Sequence, residues 1–166
     1  MAGMRIGALA APKELMDRVL PYNTNDLSVN VVAQRGALAA LQTKKEWFPK
    51  TFKICRANQR LIRRAVRQVE GARLPVFPSQ ANMFCIDISQ TGVDPDVVEQ
   101  KLLFDHNVFI RSGNYVSKQF GNKFIRASFS VPTPMVRRFV KAFPLVMEEL
   151  RKKEPPAAVP ETPQSG

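Results

Sequence analysis

The sequence predicts a layered α/β or α+β protein in which helices pack on one face of a small mixed sheet. Two patterns carry this reading. Apolar and polar residues alternate over 82–88 and 124–129, the period of strands, whereas apolar residues recur every three or four positions over 27–48, 51–71, 95–106 and 133–150, the period of helices. Size and composition agree with it. A chain of 166 residues, 45% apolar and 23% charged, suffices for one domain or one and a half and is too balanced to be disordered throughout.

Met4 to Ala10 is a short apolar run closed by Pro12, which reads as a buried strand. Arg5 ahead of Ile6 to Ala11 imitates a secretory leader, but six apolar residues fall short of the roughly 7–15 of a signal core. Pro12 suits the first turn of a short helix to about Leu20, stopped by the turn formers Pro21-Tyr22-Asn23-Thr24-Asn25. Asp26 or Ser28 can cap the next helix, 27–48, whose Ala33, Gly36, Ala37 and Ala40 permit close packing. After Pro49 a long helix runs to about Gly71, a residue suited to a helix C-terminus.

Val76 to Gln80 breaks the periodicity, and Asn82 to Ile88 alternates as a strand. Asp94-Pro95 opens a helix toward His106, Val108 to Arg111 is a brief strand, and Ser112 to Lys123 is a polar loop. Phe124 to Phe129 is the last strand. Pro132-Thr133-Pro134 feeds a final amphipathic helix that Pro144 should kink, and the proline-rich run from about Lys152 reads as a disordered tail.

Twenty-five lysines and arginines against 14 acids leave a net charge of +11, which favours anionic partners. Cys55 and Cys85 supply neither a disulfide framework nor a clustered metal set, so the expectation is a reducing, cytoplasmic compartment and no metal. No stretch approaches the ~20 apolar residues of a membrane span. Ten basic residues between Lys44 and Arg73 stand against Glu46 and Glu70. They lie on the polar side of an amphipathic helix with few aromatics among them, so a solvated face is expected; the alternative is a non-catalytic module binding nucleic acid or another partner.

Several landmarks recur in one order. Ala2-Gly3-Met4-Arg5-Ile6-Gly7, then Pro21-Tyr22-Asn23 ahead of an alanine-rich helix, Asn58-Gln59-Arg60, Pro78-Ser79-Gln80-Ala81-Asn82-Met83-Phe84 and Phe124-Ile125-Arg126 together resemble the C-terminal half of a fold-type I, class I/II aminotransferase dependent on pyridoxal 5′-phosphate. The similarity covers residues 2 to about 150 and is strongest to histidinol-phosphate aminotransferases and threonine-phosphate decarboxylases. It implies a partial PLP-transferase fold: residues 1–50 trailing from the large cofactor domain, 51–151 forming a connecting helix and small domain, and 152–166 a tail. It also implies amino acid and 2-oxo acid substrates and a homodimeric intact enzyme.

By the same resemblance, the Schiff-base lysine lies about eight residues ahead of the arginine matched by Arg5, before Met1, so the chain is expected to be inactive alone. Ser117-Lys118-Gln119-Phe120-Gly121, with Arg126 eight residues after Lys118, imitates that spacing. A Schiff base there would leave a single helix to build the small domain, so Lys118 is read as a solvated loop lysine.

Three arginines are the candidate binding residues. The resemblance gives Arg5 to the cofactor phosphate, which a permanently charged, forked guanidinium suits. It gives Arg126 to the substrate α-carboxylate; a cation between Ile125 and Ala127 in an apolar strand also needs a partner on physical grounds. Arg111, ending the preceding strand, corresponds to an arginine that contacts a distal phosphate in phosphate-using members. Ala8 departs from the family, where an aromatic often follows the matching glycine. His106, the sole histidine, is expected to cap a helix C-terminus.

Overall fold

The computed structural model describes residues 2–23 and 29–153. The caps expected at Asp26 and Ser28, and the tail beyond Lys153, lie outside them. Two compact units divide at Lys50 and Thr51.

The first unit holds a 3-10 turn at Ala2–Met4, helix α1 (Lys13–Val19), a second 3-10 turn at Leu20–Tyr22 and helix α2 (Val31–Gln42). The strand expected at 4–10 does not form. Those residues are irregular and mostly exposed, and no strand is present among the described residues 2–50 to supply a ladder for it. The next helix begins at Val31 rather than 27, because the Asn30 side chain accepts hydrogen bonds from the backbone of Val32 (2.8 Å) and Ala33 (3.3 Å). It stops at Thr43, whose hydroxyl and amide both bond to the Ala39 carbonyl.

Helix α3 (Lys44–Val66) therefore starts before Pro49 and runs through it, forgoing one backbone bond. It ends at Val66, short of Gly71, as the ladder tightens into i→i+3 bonds at Gln68 and Val69. Gly71 still needs its freedom: its φ is +80°, and a Cβ would sit 2.5 Å from the Gln90 carbonyl oxygen.

The second unit is a three-stranded sheet covered by helices. Strands β1 (Met83–Asp87), β2 (Arg111–Ser112) and β3 (Phe124–Ser128) lie in the order β1-β3-β2, and every pairing is antiparallel. Between them come α4 (Pro95–His106), capped by Asp94 and ended by Asn107 at φ 51°, and two 3-10 turns at Gly113–Tyr115 and Gly121–Lys123. The cap expected of His106 thus belongs to Asn107. Helix α5 (Thr133–Lys153) passes through Pro144 and includes Lys152, which was expected to open the tail; a Lys152–Glu148 pair at 2.7 Å braces that last turn.

Alternation sorts the sheet. Phe84 and Ile86 of β1 and Ile125 and Ala127 of β3 are buried with Ile62 and Val66 of α3, Val98 and Leu102 of α4, and Phe143, Val146 and Met147 of α5. Polar clamps hold α3 in place. Asn58, fully buried, donates to the carbonyls of Phe129 (3.0 Å) and Val131 (2.9 Å) and accepts from the Thr133 hydroxyl (3.0 Å). Gln59 exchanges two bonds with the Ser79 backbone, at 2.9 and 3.1 Å.

Candidate functional site

The face of the sheet away from the core carries the charge. Arg126 sits at the centre of β3, in register with Cys85 of β1 on one side and Arg111 of β2 on the other, so the three side chains leave the same face in a row. Arg126 is half-buried, and among the described residues no carboxylate pairs with it. Two of the three candidate arginines are brought together. Arg5 belongs to the first unit, where it follows the 3-10 turn, exposed, at φ 53°, a backbone region that non-glycine residues seldom occupy.

Arg111 is surrounded by a partial cage. Its guanidinium carbon lies over the Tyr115 ring, 4.3 Å from the centroid, and over the Phe109 ring at 4.8 Å, and Nη1 lies 3.8 Å from Glu99 of α4. The other Glu99 oxygen accepts from the Ser112 amide at 2.5 Å, which ties β2 to α4. Sequence reasoning missed Glu99, because its spacing along α4 gives no sign of a strand 12 residues away; it also missed both rings as partners of Arg111.

The turn after β2, read from sequence only as polar loop, is held from several sides. Ser112 Oγ accepts from the Asn114 amide (3.1 Å), and Asn114 donates to Asp96 at the start of α4 (2.9 Å). Gly113 and Gly121 are packed backbone to backbone: a Cβ on Gly113 would meet the Phe124 carbonyl oxygen at 2.5 Å, and one on Gly121 the Asn114 Cα at 2.5 Å. Hydrogen bonds from Ser112 and Asn114 hold the Asp96 carboxyl below its ordinary value, against a small upward push from burial.

At the far edge, burial pushes Asp87 up. Hydrogen bonds from the Ser89 hydroxyl and amide, and from Arg73 at 2.7 Å, outweigh that and leave it lowered. Lys118 is exposed on the turn between the two glycines. Arg60 and Arg64 are exposed on the outer side of α3 and Arg67 just past its end, while the guanidinium carbons of Arg56 and Arg63 lie over the rings of Phe52 and Phe77. Cys55 and Cys85 are free thiols. Among the described residues no helix is long and apolar enough to cross a membrane.

Comparison with known proteins places this geometry. A family model described as aminotransferase class I and II matches residues 1–143. A histidinol-phosphate aminotransferase of Bdellovibrio bacteriovorus is 37% identical over an alignment covering 52% of this chain and 22% of that protein. An aminotransferase from Mycobacterium tuberculosis superposes with a TM-score of 0.67 at 24% identity, over 90% of this chain and 39% of its own. Cystalysin from Treponema denticola, whose structure contains pyridoxal 5′-phosphate, does so with a TM-score of 0.62 at 13% identity, over 83% and 35%. The chain spans well under half the length of each of these proteins.

Pyridoxal 5′-phosphate is the cofactor of the family's intact enzymes. Taken unit by unit, the forked donors present suit an anion such as a phosphate or a carboxylate: Arg5, exposed, in the first unit, and Arg111 and Arg126, half-buried, in the second. The chain belongs to the aminotransferase class I and II family.

Proposed function

We propose that the chain is the C-terminal part of an aminotransferase related to the histidinol-phosphate group, moving an amino group between an amino acid that carries a phosphate as well as its α-carboxylate and a 2-oxo acid. The observation that carries the reading is the cross-strand pair Arg111 and Arg126, two cations side by side on one open sheet face. Two anionic ends of one substrate answer two such cations better than a single carboxylate does.

Each arginine then has its own task. Arg126 takes the α-carboxylate with its forked donors, which fixes the orientation of the Cα–H bond. Arg111 takes the distal phosphate and so favours substrates that carry one, because a charge-assisted pair to a phosphate is stronger than its 3.8 Å contact with Glu99. Arg5 holds the cofactor phosphate. The cofactor, when bound, withdraws electrons from the substrate α-carbon. The reading assigns the cofactor-bearing lysine to a position ahead of the arginine matched by Arg5 and expects no transamination from residues 1–166 alone. It places the intact enzyme in the cytoplasm as a homodimer. The nucleic-acid alternative has the exposed arginines of α3 in its favour, and retention on single-stranded nucleic acid that falls steeply with added salt would revive it.

Calorimetric titration of the chain with O-phospho-L-serine and with L-serine tests the assignment. The phosphorylated ligand should bind about tenfold more tightly, the order of one charge-assisted pair. Arg126→Gln should weaken both ligands, and Arg111→Gln should remove only the preference. Equal binding of the two ligands, or indifference to both substitutions, contradicts it.

A further inference from the structure

Exposed aromatic rings seldom earn a fixed position, yet the Tyr115 ring, 71% exposed, sits on one of the most constrained turns of the unit. The Gly113–Gly121 backbone contact, the Ser112 and Asn114 hydrogen bonds, and amide bonds from Val116 and Ser117 to the Gly113 carbonyl all hold that turn. The ring lies against the Arg111 guanidinium, 4.3 Å from centroid to carbon. Phe109, 58% exposed and two residues before Arg111, adds a second ring at 4.8 Å.

Stacking occupies the flat face of a guanidinium and leaves its in-plane N–H donors free. With two rings over its carbon, at 4.3 and 4.8 Å, Arg111 has few planes left to it, so its donor edge is restricted before any anion arrives. We propose that Tyr115, assisted by Phe109, is a positioning residue that presets the plane of the Arg111 donor fork and so strengthens its grip on a phosphate group. The inference deepens the substrate reading above and rests on it. Glu99 completes the arrangement from the helix side, at a separation of 3.8 Å that a phosphate can outcompete.

The test is titration of the full 166-residue chain with inorganic phosphate at constant ionic strength, followed through arginine Nε–Hε resonances so that each guanidinium reports separately. Wild-type chain should show Arg111 Hε shifted by the ring current, and phosphate moving that resonance to saturation. Tyr115→Leu should abolish the ring-current shift and weaken phosphate about two- to fivefold, with backbone resonances elsewhere unchanged. Tyr115→Phe, which keeps the ring, should retain both. Phe109→Leu gives a second, smaller loss of the same kind, should Tyr115→Leu disturb the turn.

Tyr115→Leu and Phe109→Leu binding phosphate as tightly as wild type, while Arg111→Gln still weakens it, would overturn the positioning role and leave the substrate reading standing. Phosphate that fails to move Arg111 in the wild-type chain would overturn both.

Discussion

Arg111 and Arg126 face each other across the β2–β3 ladder, placing two like charges at directly opposed positions of one sheet. Such a pair is unfavourable by a few tenths to about 1 kcal/mol, and it persists most readily where the repulsion serves to hold an anion.

Relieving that repulsion should therefore stabilise the free chain. Arg126→Gln is expected to raise stability by about 0.2–1 kcal/mol in urea unfolding without added anion, and to lower it relative to wild type when O-phospho-L-serine is saturating. Destabilisation without ligand would show that Arg126 has a structural partner.

Asn58 joins α3 to the segment leaving β3. Asn58→Ala removes three hydrogen bonds and leaves two carbonyls and a hydroxyl to be satisfied within a buried site, so about 2–4 kcal/mol of stability should be lost. Thr133→Val, which breaks one of the three, should cost about 1 kcal/mol. Comparable unfolding midpoints for wild type and Asn58→Ala would refute the clamp.

Acid should weaken the second unit. Asp87 and Asp96 are held below the ordinary value of 3.8, so the unfolded chain takes up protons before the folded one does as pH falls. The stabilisation is complete above about pH 5 and declines as pH drops through the ordinary value toward the lower, folded-state values. Asp87→Asn and Asp96→Asn should each flatten the acid limb of a stability-against-pH curve. An unchanged limb in both variants would rule these two groups out as its cause.

The first unit exposes Val31, Val32, Leu38 and Leu41, the outermost of them 68% accessible, on a helix with a single buried residue, Ala33. Self-association that grows with concentration is expected in light scattering. Leu38→Lys with Leu41→Glu should reduce it and leave the melting of the second unit unchanged. A monodisperse wild-type chain at high concentration would contradict this.

Legibility in the sequence followed the range of the forces involved. Strands β1 and β3 and helix α4 were readable because alternation and the Asp94-Pro95 start are local signals, and Arg126 stood out because a cation in an apolar strand is locally anomalous. The run at 4–10 misled for the opposite reason: a strand needs a neighbour, and local composition cannot supply one. Pro49 drew the helix boundary away from Thr43, where side-chain capping ends α2. Glu99 joins Arg111 only through tertiary packing, and although Phe109 and Tyr115 are its near neighbours in sequence, the Gly113–Gly121 contact that holds the turn bearing Tyr115 leaves no periodic trace. Asn58 and Gln59, quoted as landmarks of resemblance, turned out to be the clamps of α3.

The shared grip of Arg111 and Arg126 on one substrate is tested most directly by following both Nε–Hε resonances while O-phospho-L-serine is added. The account predicts that the two move together on a single isotherm while Arg60, Arg64 and Arg67 stay still. Separate midpoints for the two arginines, or movement confined to α3, would contradict it.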